Sequence, residues 1–212
     1  MGDVAPCGMT ELGLFPLPLV LLPTERVPLH IFEKRYRELI AECLDSGEDF
    51  GLVYADDEGV RDVGTRASVT EVLSRLPDGR MDILVEGGAR FRLFELTTGR
   101  SFRTALVSPV EDDDDPAGAD SIDRALGLFE RLRELTGSDV DVPDPVVPQL
   151  SYALAGRVEL PPIEKLQLLT DRSERSRMSQ LCDLLETAVS TARRVRTAAE
   201  RAATNGRVHL DA

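Results

Sequence analysis

Apolar positions follow two different rhythms along this chain. From Leu12 to about Val110 they come in short runs separated by turn-forming residues, which predicts strands. Phe50-Gly51-Leu52-Val53-Tyr54 is one such run, and Ala67 to Leu76 is rich in β-branched residues. Pro77-Asp78-Gly79 has Pro and Gly placed for a turn, and Met81 to Glu86 returns as the partner of a hairpin. Gly87-Gly88 reads as a tight turn or bulge between strands. Phe91 to Leu96 alternates imperfectly, with Phe91, Leu93 and Glu95 on one face, and Thr104 to Val110 is a further strand. One helix interrupts: Phe32, Tyr36, Leu39, Ile40, Cys43 and Leu44 keep helical spacing, and Gly47 stands where the helix should stop. Many short strands joined by turns predict a small barrel or sandwich.

The rhythm changes after Glu111-Asp112-Asp113-Asp114-Asp115-Pro116-Ala117-Gly118. Consecutive like charges repel, and Pro and Gly break regular structure, so this segment is expected to be a solvated linker. The acid spacing and fixed glycine of a calcium-binding helix–loop–helix are absent. Helical spacing then takes over. Asp120 or Ser121 can cap a helix ending near Gly137, and Pro145 to Ala155 predicts a second. Pro161-Pro162 opens a third, and Asp171 with Glu174 has capping-box spacing for a fourth, running to about Thr204. The expected organisation is a loose tail over 1–11, a β-rich lobe over 12–110, an acidic linker over 111–118, a helical lobe over 119–206 and a C-terminal tail over 207–212. The expected fold class is α+β, a β-rich N-terminal lobe with one helix followed by an all-helical lobe.

Charge sharpens that division. The net charge is −13, of which residues 1–110 carry −6, residues 111–120 another −6, and residues 121–212 only −1. A net-acidic surface repels phosphate backbones and argues against general nucleic-acid binding. No apolar run approaches a bilayer-spanning length of roughly 20 residues, and the N-terminus lacks the features of a signal peptide. Three widely spaced cysteines, Cys7, Cys43 and Cys182, do not form a disulfide framework and fit a reducing, cytoplasmic setting.

Candidate chemistry is sparse. The only histidines are His30 and His209, and there is no Gly-x-Ser-x-Gly elbow, phosphate-binding loop or cluster with metal-ligand spacing. His30, between Leu29 and Ile31, is expected to be partly buried and bonded to backbone. Glu33 could pair with Arg90 and tie helix to sheet, or both could be solvated. Arg193, Arg194, Arg196 and Arg201 make the last helix basic; they could complement its dipole or contact an acidic partner or the acidic linker. No catalytic residue, metal or cofactor is expected.

The opening, Leu14-Phe15-Pro16-Leu17 through Pro28-Leu29-His30-Ile31-Phe32-Glu33 and Arg35-Tyr36, resembles the start of the Lon protease N-terminal (substrate-binding) domain. Phe50-Gly51, Val63-Gly64-Thr65, Asp78-Gly79-Arg80, Val85-Glu86-Gly87, Arg90-Phe91 and Glu164-Lys165-Leu166-Gln167-Leu168-Leu169 continue the likeness to about Val189. The resemblance implies a PUA-like pseudo-barrel and a helical C-terminal lobe. It also implies a stand-alone, non-catalytic, polypeptide-binding module without ATPase motor or Ser-Lys protease, an adaptor or regulator of proteolysis. Its partners would be unfolded or tagged polypeptides held on apolar surface between the lobes, together with a protease or chaperone, and it could form oligomers; no membrane partner is expected. The alternative from the same fold is a small-molecule or, less favoured by charge, an RNA-binding protein. The signature residues Phe15, Pro16, Leu17, Pro28, Leu29, His30, Phe32, Glu33, Arg35, Tyr36, Gly64, Gly87, Arg90 and Phe91 are expected to be scaffold.

Overall fold

In a computed structural model, residues 8–205 are described. Cys7, His209, the first seven residues of the expected tail and the expected 207–212 tail lie outside them. Six strands and five helices follow in the order β1 (Thr10–Leu17), β2 (Arg26–Ile31), α1 (Lys34–Ser46), β3 (Phe50–Asp56), β4 (Gly59–Arg75), β5 (Met81–Thr97), β6 (Arg103–Pro109), α2 (Ala119–Thr136), α3 (Leu150–Ala155), α4 (Pro162–Thr170) and α5 (Glu174–Asn205). The class is α+β, as the sequence predicts. No helix among the described residues is long and apolar enough to cross a membrane.

The chain divides into two compact units. The first takes the chain up to Asp113 and again Ala155–Arg172; the second takes Asp114–Leu154 and the chain from Ser173 onward. Helix α4 thus belongs with the strands, not with the other C-terminal helices.

In the first unit the strands pair in the order β2-β5-β4-β3-β1-β6, and a further β5–β6 pairing closes β5, β4, β3, β1 and β6 into a ring. Strand β5 makes this possible by its length. Its residues 81–86 pair with β2, and its residues 91–97 pair with β6 along the same edge. The expected separate strands Met81–Glu86 and Phe91–Leu96 are therefore one strand, and Gly87-Gly88 marks where its partner changes. The reason is steric. Gly87 exchanges backbone hydrogen bonds with the 24–25 segment, accepting from Thr24 N–H at 2.7 Å and donating to Glu25 O at 2.9 Å. A Cβ on Gly87 would stand 2.1 Å from the Leu22 carbonyl oxygen.

Strands β1 and β3 are buried on both faces, which is why their sequences read as continuous apolar runs. Leu12, Leu14, Val53, Phe91, Ala105 and Val107 form one cluster. Phe15, Phe50 and Leu52 pack instead with Tyr36, Leu39 and Ile40 of α1 and with Ile83 and Val85 of β5. Phe91 fits because its cross-strand partner is Gly64; a Cβ there would come within 2.5 Å of the ring. Helix α1 ends as predicted at Gly47, whose left-handed backbone lets its N–H reach the Cys43 carbonyl.

Two buried cations hold α4 in the first unit. Arg90, 3% exposed, donates to the carbonyls of Leu169 and Asp171 at 2.8 Å each and pairs with Asp112. Lys165 pairs with Glu25, whose other oxygen accepts the Leu22 N–H at 2.9 Å. The proposed Glu33–Arg90 pair does not form. Glu33 pairs with its neighbour Arg35 at 2.7 Å, while the buried guanidinium of Arg90 takes partners that satisfy several of its donors at once. The acidic segment is anchored rather than simply solvated, for Asp113 also pairs with Arg172 at 2.6 Å.

In the second unit α2 and α5 bury Ala125 and Phe129 against the face carrying Met178, Leu181, Leu185 and Val189. Arg177 is fully buried, lying 4.4 Å over the Tyr152 ring and bonded to Ser151 Oγ and Glu174. Three local expectations are corrected. Helix α5 is capped by Ser173, whose Oγ accepts the Ser176 N–H at 3.0 Å, while Asp171 closes α4. Gly118, not Asp120 or Ser121, occupies the α2 cap position. The predicted Pro145–Ala155 helix shrinks to Leu150–Ala155, because Pro145 and Pro148 limit the backbone donors ahead of it and Asp144 holds a local turn through the Val146 N–H.

Candidate functional site

The signature residues separate into two groups. Phe15, Leu29, Tyr36, Arg90 and Phe91 are buried, and Gly64 and Gly87 lie where no side chain fits. Pro16 and Leu17 are half-buried. Pro28, His30, Phe32 and Arg35 are exposed, with Glu33 between the two states. Sequence reasoning treated all of them as scaffold, without separating the exposed set.

Of the exposed set, Pro28 and His30 lie on the outer face of β2 with Phe32 just beyond its end, while Arg35 belongs to α1. Strand β2 alternates: Leu29 and Ile31 point into the core, so Arg26, Pro28 and His30 point out. The register places Arg26 opposite Glu86, Pro28 opposite Leu84 and His30 opposite Asp82. Arg26 and Glu86 form an ion pair 2.6 Å apart, and His30 Nδ1 is hydrogen-bonded to Asp82 Oδ1 at 2.6 Å. His30 is therefore an exposed residue bonded to a carboxylate, not a half-buried one bonded to backbone. The even-numbered positions of β2 face solvent, which its apolar neighbours Leu29 and Ile31 conceal in a linear reading. Phe32 continues the outward series, stacked on His30 with centroids 5.9 Å apart, and is 60% exposed.

Strand β4 extends the apolar surface at the same end. Its register slips between Val72 and Ser74, so Leu73 is the extra residue of a bulge and is 49% exposed. Leu76, 37% exposed, starts the turn to β5 and donates its N–H to the Arg80 carbonyl at 2.8 Å. Two anchors stiffen this turn. Asp78 accepts from both the backbone and the side chain of Arg80, which hold its carboxyl below the usual range, and Arg37 of α1 donates to the Asp78 carbonyl. Leu73 and Leu76 were not singled out from sequence. The available signal was the adjacent apolar pair Val72-Leu73, which breaks strict alternation.

This face presents exposed apolar side chains beside the Arg26–Glu86 ion pair and the His30–Asp82 hydrogen bond, on a pinned hairpin. That arrangement suits contact with apolar side chains of another chain rather than bond-making. The two described cysteines are buried, and burial foremost pushes both thiols up, Cys43 to about 11, away from nucleophilic reactivity. Among the described residues no group of His, Cys and acids is placed to hold a metal.

The family model for the ATP-dependent protease La (LON) substrate-binding domain matches residues 11–187. The chain is 26% identical over 203 residues to the Lon protease of Rhizobium meliloti (strain 1021), covering 85% of this chain and 25% of that protein. It is 24% identical over 211 residues to the Lon protease of Brucella suis biovar 1, covering 87% and 26%. The chain thus spans about a quarter of the length of these relatives. Among solved structures, the Lon N-terminal domain protein from Xanthomonas campestris superposes with a TM-score of 0.63 at 27% identity, over 81% of this chain and 96% of that one. The N-terminal domain of Mycobacterium avium complex Lon protease gives 0.65 at 17% identity, over 84% and 98%, and is evidence of fold alone.

Proposed function

The chain belongs to the family of the Lon substrate-binding domain, and from that premise we propose that it is a non-catalytic module that binds polypeptides through the exposed face of β2, β5 and β4. The observation that carries this reading is the joint exposure of Phe32, Leu73 and Leu76 around the end of β2 and the β4–β5 turn, apart from Phe94 and Leu96, which are exposed at the other end of β5. Such side chains favour extended or unfolded segments, whose apolar residues are accessible and whose backbone imposes no fixed shape. The polar pairs around them keep the face soluble. A module of this kind serves as an adaptor or regulator that presents polypeptides to a protease or chaperone. The buried half of the signature holds the face in place: Phe15 of β1 stacks at 4.1 Å on Tyr36 of α1, and Gly64 and Gly87 admit the close packing of the ring of strands.

The test is fluorescence anisotropy of labelled unfolded polypeptides titrated with the full chain in the absence of nucleotide. Saturable binding that tolerates salt and weakens in Phe32→Ala and in the Leu73→Ala/Leu76→Ala double variant is expected. Binding that these variants leave unchanged overturns the assignment of the face, and no binding across varied polypeptides overturns the function.

A further inference from the structure

The C-terminal end of α1 borders a groove of about 460 Å³ whose apolar floor includes Leu39 and Phe102. Glu42, Asp45, Glu48 and Asp49 stand around it. Glu42 pairs with Arg100; among the described residues, Asp45, Glu48 and Asp49 form no ion pair. The last turn of α1 carries no base. These carboxylates therefore gather at the carbonyl-rich, negative end of a helix, where the helix dipole disfavours acids and favours cations. The same field is felt by Cys43 on the groove wall, whose thiol is raised by burial first and then by Glu42, Asp49 and Glu48. A cationic ligand would meet the dipole and the carboxylates together, with an apolar floor beneath.

The second observation lies in the other unit. Every residue from Arg193 to Arg201 is exposed, although the segment is helical. Four arginines against Glu200 give it a net charge of +3 in a chain whose total is −13. Val195 is 65% exposed within it. Arg196 pairs with Glu200 at 3.2 Å, and Arg193, Arg196, Thr197 and Glu200 border a cavity shared with Arg131 and Leu135 of α2, yet all four stay exposed; the arginines suit planar, paired recognition of carboxylates.

We infer that the Arg193–Arg201 stretch of one copy docks on the acidic groove at the end of α1 in a second copy, joining copies head to tail. The two surfaces are opposite in charge and each carries an apolar element, Val195 on one and Leu39 with Phe102 on the other. Because the contacting patches differ, the interface is heterologous and each joined pair keeps one free groove and one free helix end, so further copies can add unless the rotation closes a ring. Polypeptide binding at the β2–β4 face does not depend on this contact and is measured separately.

Sedimentation velocity of the full chain over a concentration series, at low and high salt, tests it. Association that grows with concentration and weakens with salt is expected. Asp45→Lys/Glu48→Lys and Arg193→Glu/Arg196→Glu should each weaken association roughly tenfold or more, since several close pairs turn repulsive. An equimolar mixture of the two variants should associate again, each supplying the face the other has lost. Asp45→Lys puts a cation at a helix C-terminus, so its melting temperature should hold or rise, which separates lost association from lost folding. A wild-type chain that stays monomeric at every concentration, or association indifferent to both variants, overturns the inference.

Discussion

Two aromatic pairs, both from the opening stretch of the chain, meet opposite fates. Phe15 of β1 and Tyr36 of α1 stack at 4.1 Å and are both buried. His30 and Phe32 stack at 5.9 Å on the outer face of β2, and Phe32 is 60% exposed. Residue type does not distinguish them. Strand parity does: Ile31 is fully buried, so its neighbours on β2 must face outward. One pair supports the fold, and the other is available for contact. The same contrast holds for polar groups. Lys165 and Arg90 are buried and partnered inside the first unit, while on the surface Arg26 pairs with Glu86 and His30 is hydrogen-bonded to Asp82.

The buried members of this comparison should dominate stability. Phe15→Ala is expected to lose about 3–5 kcal/mol, the usual range for a deleted core aromatic, read from urea unfolding. Lys165→Ala strands the carboxylate of Glu25 in a buried site and should lose a similar amount, about 3–5 kcal/mol. The joint replacement Lys165→Met/Glu25→Leu should recover most of that loss, and failure to recover would break the view that the pair matters through uncompensated charge. Gly64→Ala should lose about 1–3 kcal/mol by forcing a methyl into the Phe91 ring.

The exposed members should separate binding from stability. Phe32→Ala is expected to change unfolding free energy by no more than about 0.5 kcal/mol. Its affinity for unfolded polypeptide should nonetheless fall about tenfold, as for an aromatic anchor worth more than 1 kcal/mol. A large loss of stability would place Phe32 with the scaffold and collapse the comparison.

The smallest expected effect is a pH dependence. Burial raises the Cys43 thiol from 9.0 to about 11. The folded state then holds a proton that the unfolded state has released, so this contribution is present below pH 9 and is lost as pH rises toward 11. Cys43→Ala should flatten the alkaline fall in stability seen by denaturant titration at a series of pH values; an unchanged slope would show that other groups carry it.

Much of the fold was legible from local pattern. Gly47 ended α1 where predicted, because a left-handed cap is a local demand of the backbone, and α4 began at the predicted prolines for the same kind of reason. The continuity of β5 through Gly87-Gly88 was not legible, since adjacent glycines signal a turn unless one knows that the 24–25 segment pairs against them. The partner of Arg90 was misjudged because Asp112 and the Leu169 carbonyl come from distant parts of the sequence that only packing brings together. At the candidate face, Phe32 was singled out but its exposure was not, and Leu73 emerged only through a bulge.

By itself the sequence determined where the chain changes from strand-like to helical rhythm, which class of fold results and which family it resembles. Those features depend on periodicity and on residues that act within a few positions of themselves. Tertiary structure alone decided that the ring of strands closes through β5, that α4 joins the strand-bearing unit, and that Phe15 is hidden while Phe32 is presented. Each of those outcomes depends on which distant segment lies opposite, and burial is a property of that pairing rather than of the residue.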